Sequence, residues 1–130
     1  MTSSGGCACG AVRYTVDGPI DDVAHCHCGL CRRHGGIVTT WATVPQTTFR
    51  WTAGVPIAWR STPHGHRYVC GTCGSLLALI TSRSPVTIDL TIGTLDAPEA
   101  HPADRHIWVR DRLSWLSLDP SLPEQTEETP

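Results

Sequence analysis

Lysine is absent from this sequence. Its basic charge comes from ten arginines, set against twelve Asp and Glu, and the formal net charge is -2. A near-neutral chain lacks the positive surface that non-specific nucleic-acid binding needs, so no nucleic-acid partner is expected. Long apolar runs are missing too. No stretch approaches the roughly 20 residues that cross a bilayer as a helix, and no membrane partner is expected. Residues 1–6 show neither a basic start nor an apolar stretch, so no secretory signal is read there. The expected compartment is cytoplasmic, where thiols stay reduced. No internal repeat is visible, and no segment carries a sustained apolar stripe at helical spacing.

What the sequence does have is turn formers and cysteine. Twelve Gly and ten Pro accompany a hydrophobic content of only 40%. That mix suits short strands joined by tight turns, in a chain the size of one domain. Val12, Tyr14 and Val16 alternate with Arg13 and Thr15, which reads as a strand ended by Asp17-Gly18-Pro19. Further strands are read at 37–44, 48–51, 57–60, 66–69, 76–80 and 86–92, with a last one at 112–118. Short helical turns fit 28–34 and 96–105. Residues 1–5 read as a flexible leader, 6–118 as the folded domain, and 119–130 as a disordered, acidic, Pro-rich tail. Five Trp in so small a chain are expected to fill a thin core, and Asp96 to cap a turn.

Seven cysteines is an odd number, and a disulfide framework would leave one over. Their spacing suggests four plus three. Cys70-Gly71-Thr72-Cys73-Gly74 is a C-x-x-C knuckle, and Cys7-Ala8-Cys9-Gly10 is a tighter version ahead of a strand. Two thiolates this close converge on one metal if the backbone turns sharply between them, which the glycines permit. Four thiolates around zinc complete a tetrahedron and leave no position for substrate, so such a site is structural. A thioredoxin-like redox motif is the rival, but its βαβ context is missing.

His25-Cys26-His27-Cys28-Gly29-Leu30-Cys31-Arg32-Arg33 contains C-x-C-x-x-C. Three thiolates within six residues reach one ion from a single loop, and no fourth cysteine remains. The fourth ligand of a second zinc would be water, His25 or His27, or an incoming small molecule. Three protein ligands plus an open position is the pattern of reactive zinc. Such a metal stabilises an incoming thiolate, because a coordinated thiol is deprotonated. Arg32 and Arg33 are candidate substrate-binding residues for the carboxylates of a thiol-bearing peptide, although a solvated turn is the plainer reading. A metal-free thiol trio acting as a redox sensor also stays open.

These motifs resemble the glutathione-dependent formaldehyde-activating enzyme family, which includes the centromere protein V branch. The matching pieces are Gly6 to Tyr14, Cys26 to Arg32 and Arg67 to Ser75. Gly93 to Asp96, His106 to Trp108 and Trp115 complete them. The resemblance implies a mostly β fold, a β-tent of small antiparallel sheets stapled by zinc. It implies two zinc ions per chain, with Cys7, Cys9, Cys70 and Cys73 as structural ligands. Cys26, Cys28 and Cys31 would then form the catalytic or glutathione-responsive site. The implied activity is that of a carbon–sulfur lyase, an S-hydroxymethylglutathione synthase that adds glutathione or a similar thiol to formaldehyde. The alternatives are a non-catalytic zinc scaffold and a thiol or redox sensor.

Overall fold

The computed structural model describes residues 1–128. Among them the chain forms ten strands and one α-helix. The strands are β1 Thr2–Gly6, β2 Arg13–Asp17, β3 Val23–Cys26, β4 Thr39–Pro45 and β5 Phe49–Ala53. They continue with β6 Ile57–Thr62, β7 Gly65–Val69, β8 Leu76–Thr81, β9 Thr87–Thr91 and β10 Arg105–Ile107. Helix α1, Gly29–Gly35, lies between β3 and β4. No helix among the described residues is long and apolar enough to cross a membrane.

The strands build two sheets, one of order β1-β2-β5 and one of order β10-β3-β4-β9-β8-β7-β6. All pairings are antiparallel except β3 with β10. The mostly β class read from the alternation is what folds, although the larger sheet has seven strands and is not small. The main core brings Val12, Tyr14 and Val16 of the smaller sheet's side together with Val44, Leu77, Ile88 and Leu90. Each fully buried aliphatic side chain there contributes roughly 1.5–3 kcal/mol. A second, smaller core holds Ala24, Cys26, Cys31, Trp41 and Ile107. Strand β4 feeds both: Ala42 and Val44 enter the main core, and Trp41 enters the small one.

Several expectations need correction. The leader is not loose, because Thr2–Gly6 pairs with β2 from Thr2↔Asp17 to Gly6↔Arg13. That ladder is made by backbone groups, so the polar composition of residues 1–5 did not betray it. Residues 112–118 are not a strand. A 3-10 turn at Val109–Asp111 precedes them, and the free edge of β10 is taken by Pro123 to Gln125 instead. There the His106 amide donates to the Pro123 carbonyl, and the Gln125 amide donates to the His106 carbonyl, both at 2.9 Å. The described part of the tail is therefore seated along β10, with Glu124 paired to Arg112 at 2.5 Å. Residues 129–130 of the expected tail lie outside the described residues. Of the five Trp only Trp41 is buried, whereas Trp59 and Trp115 are exposed.

One half-buried acid sets a pH dependence. Asp89 on β9 accepts a hydrogen bond from Thr43 Oγ1 at 2.6 Å. Burial pushes its carboxyl up from 3.8 to about 6. The folded chain therefore holds a proton that the unfolded chain has released, and stability falls as pH rises through that window. Asp89→Asn is expected to be more stable than the parent by about 1–3 kcal/mol at pH 8. The gap should be smaller at pH 5, as measured by urea denaturation. An equal gap at both values would show that the carboxyl is not the source.

Candidate metal centre

Two hairpin turns from the two different sheets meet at the first cysteine group. Cys7 and Cys9 sit in the β1–β2 turn, and Cys70 and Cys73 in the β7–β8 turn. Each turn closes the same way. The Cys7 amide donates to the Val12 carbonyl, and the Cys70 amide to the Ser75 carbonyl, both at 3.0 Å. Gly10 and Gly74, each following the second cysteine of its turn, take φ values of +82° and +79°. A side chain is strained in that left-handed region, so glycine is needed at both positions. The Ala8 amide donates to Ser75 Oγ at 3.0 Å and ties one turn to the other.

The four sulfurs lie within 4.8 Å of one another and could hold a metal ion. Cys7 Sγ is 3.6 Å from Cys9 Sγ, and Cys9 Sγ is 3.8 Å from Cys70 Sγ. A tetrahedron with metal–sulfur bonds of about 2.3 Å has edges of about 3.8 Å, so the donor set fits zinc. Amide groups point at the sulfurs, from Val12 to Cys7 at 3.2 Å and from Thr72 and Cys73 to Cys70 at 3.4 and 3.5 Å. Hydrogen bonds from the Ser75 hydroxyl and amide hold the Cys73 thiol down at about 5.

The second group forms where β3 runs into α1. Cys26 is the last residue of β3, Cys28 caps the helix, and Cys31 lies in its first turn. The Cys31 amide donates to Cys28 Sγ at 3.2 Å, an N-cap bond made by a thiol. Cys26 Sγ stands 3.4 Å from Cys31 Sγ, and all three sulfurs lie within 4.8 Å of one another. Among the described residues no fourth Cys, His, Asp or Glu joins them. The charge distribution is uneven. Thiol hydrogen bonds from Cys26 and Cys31 draw Cys28 down to about 2, and the same contact with Cys28 drives Cys26 up. A bound metal would replace the protons that these sulfurs share.

The histidines flanking these cysteines are engaged elsewhere. His25 bonds Thr40 Oγ1 through Nδ1 and Asp119 Oδ2 through Nε2, both at 2.7 Å. His27 Nε2 is 2.8 Å from His106 Nδ1, and His106, fully buried, donates from Nε2 to the Asp119 carbonyl at 3.0 Å. The carbonyl partner requires the proton on His106 Nε2, so Nδ1 is the atom that meets His27. Burial, with His106 close by, holds His27 down at about 4, so it is uncharged at neutral pH. These rings bind the loop to residue 119 rather than filling a ligand position.

Arg32 and Arg33 stand exposed on α1, and among the described residues neither guanidinium has a hydrogen-bond or ion-pair partner. Asp96 does not cap a turn. It forms a two-point ion pair with Arg13, one arm of which is 3.0 Å long. Arg67 is a site residue that spacing alone did not single out. It is 3% exposed, and its Nη2 lies 3.5 Å from Cys31 Sγ. A cavity of about 500 Å3 opens beside α1. Its walls include His34, Thr39, Ser75, Thr91 and Thr94, and no acid or guanidinium. Thr39 donates to the Cys31 carbonyl and Ser75 lies against Cys73, so the cavity borders both cysteine groups.

Comparisons with known proteins give a family and a fold. The family model described as glutathione-dependent formaldehyde-activating enzyme matches residues 2–111. A Halomonas elongata protein is 25% identical over 129 residues, spanning 92% of this chain and 82% of its own. Its name assigns it provisionally as a glutathione-dependent formaldehyde-activating enzyme. The crystal structure of a Rhodobacter sphaeroides protein matches with a TM-score of 0.60 at 20% identity, over 94% of this chain and 98% of that one. At that identity the likeness concerns the fold alone.

Proposed function

Because this chain belongs to the glutathione-dependent formaldehyde-activating enzyme family, we propose that it is a two-zinc enzyme joining a small thiol to formaldehyde or another small electrophile. The thiol is glutathione or a similar low-molecular-weight compound. One observation carries this reading: four sulfurs close one group, whereas the other has three and, among the described residues, no fourth protein ligand. A scaffold would need a protein side chain closing the second group, and both neighbouring histidines are bonded elsewhere.

Cys7, Cys9, Cys70 and Cys73 would hold the structural ion, and Cys26, Cys28 and Cys31 the second. Zinc in a three-thiolate site supplies Lewis acidity and favours the deprotonated form of an arriving thiol. The remaining work falls to the chain. Arg32 and Arg33 offer unpaired guanidinium groups to substrate carboxylates, and the cavity beside α1 offers room for the thiol's body. In the reaction the thiol sulfur forms a bond to the aldehyde carbon. The carbonyl π pair moves to oxygen, which takes up the proton that the thiol released. Nothing is oxidised or reduced, and the reverse step is a carbon–sulfur lyase reaction.

The test mixes purified protein with formaldehyde and each of several thiols, following the S-hydroxymethyl adduct by NMR exchange spectroscopy, with metal counted on the same sample. Two zinc per chain and exchange well above the uncatalysed rate are expected. A background rate with every thiol would overturn the proposal.

A further inference from the structure

Arg67 is a buried cation without an acid. It lies on β7, where Trp59 of β6 and Leu79 of β8 are its cross-strand neighbours. Trp59 meets the His34 ring of α1 edge-on, at 4.8 Å between centroids. The arginine is thus walled in beneath the helix that carries Cys31. Its Nη1 donates to Ser61 Oγ at 2.7 Å, its Nη2 to Cys31 Sγ at 3.5 Å, and its Nε has no partner. Among the described residues no carboxylate pairs with it.

A guanidinium keeps its proton in proteins. Burying it alone costs several kcal/mol, which a nearby negative charge offsets. The sulfur cluster beside Arg67 is the available source. Three thiolates on a dication leave one negative charge, and a fourth anionic ligand would make it two. Exposed Cys9 and Cys73 let water screen that charge in the four-sulfur group. Cys26 and Cys31 are buried, so the second group needs a fixed cation instead. Nearby, the buried His34 Nδ1 also lacks a partner, and the Trp41 indole lies against the Cys31 sulfur. Trp41 shares the small core with Cys31, and His34 is one helical turn from it.

We propose that Arg67 is a positioning residue whose charge lets the Cys26, Cys28 and Cys31 group accept a soft anion, a thiolate, as fourth ligand. The inference rests on the reading that this group holds a metal. The test loads the full chain with cobalt(II) and titrates it with 2-mercaptoethanol, which has no carboxylate for Arg32 or Arg33. The sulfur-to-cobalt charge-transfer absorption reports binding without any turnover. Arg67→Met should need at least about tenfold more thiol than the parent, the worth of a lost charge-assisted hydrogen bond. Arg67→Lys should recover most of that loss. Ser61→Ala, which only frees the guanidinium, should fall between parent and Met, and it carries the test if Arg67→Met does not fold. Parental affinity in both Arg67→Met and Ser61→Ala, or a Lys variant as weak as Met, would overturn the inference alone. A parent that takes up a single cobalt would overturn the proposed function as well.

Discussion

Replacing Cys70 with serine is expected to unfold most of the domain. Cys70 is buried, and its sulfur gathers the amides of Thr72 and Cys73 while facing Cys9 across the junction of the two sheets. The chain has only a modest core, so the clamp matters. Structural zinc in small domains contributes an apparent free energy of about 10–16 kcal/mol near pH 7. A whole domain is stable by only about 5–15 kcal/mol. A hydroxyl is a poor zinc ligand, and losing one of four sulfurs should remove several kcal/mol. Circular dichroism and metal content should fall together, and a strong chelator should do the same to the parent protein. A variant that keeps its near-UV spectrum and its denaturation midpoint would show that the two hairpin turns hold each other without metal.

Cys28→Ser should behave in the opposite way. Cys28 is half-buried at the N-cap of a seven-residue helix and accepts the Cys31 amide. Serine is among the best N-cap residues, so the cap survives and stability should change by no more than about 1 kcal/mol. The metal count should drop from two to one, and adduct formation should fall at least about 100-fold, because a ligand is lost rather than a neighbour of one. Equal unfolding of the Cys28 and Cys70 variants would mean that the division into a structural and an open group is wrong. Wild-type exchange rates in a folded Cys28→Ser protein would remove the second group from the chemistry.

Much of this is legible in the sequence. The alternation at Val12, Tyr14 and Val16 records a strand with one face in the core, and all three are buried. The two cysteine pairs and the cysteine trio were readable because ligands from one turn are close in sequence. The terminal segments were harder. Thr2–Gly6 and Pro123–Gln125 are held through main-chain groups, which every residue carries, so composition says nothing about their pairing. Strands β3 and β10 were missed because four and three residues are too few for a period to show.

The sequence by itself determined which side chains are able to bind metal and which short segments alternate. Both properties depend on residues a few positions apart. The tertiary structure decided how the Cys7–Cys9 turn of one sheet reaches the Cys70–Cys73 turn of the other. It alone turned His27 toward His106 and brought Arg67 against Cys31, 36 positions away. Such contacts follow from how the sheets stack and where α1 rests, and a buried charge shows its partner only when the chain has closed around it.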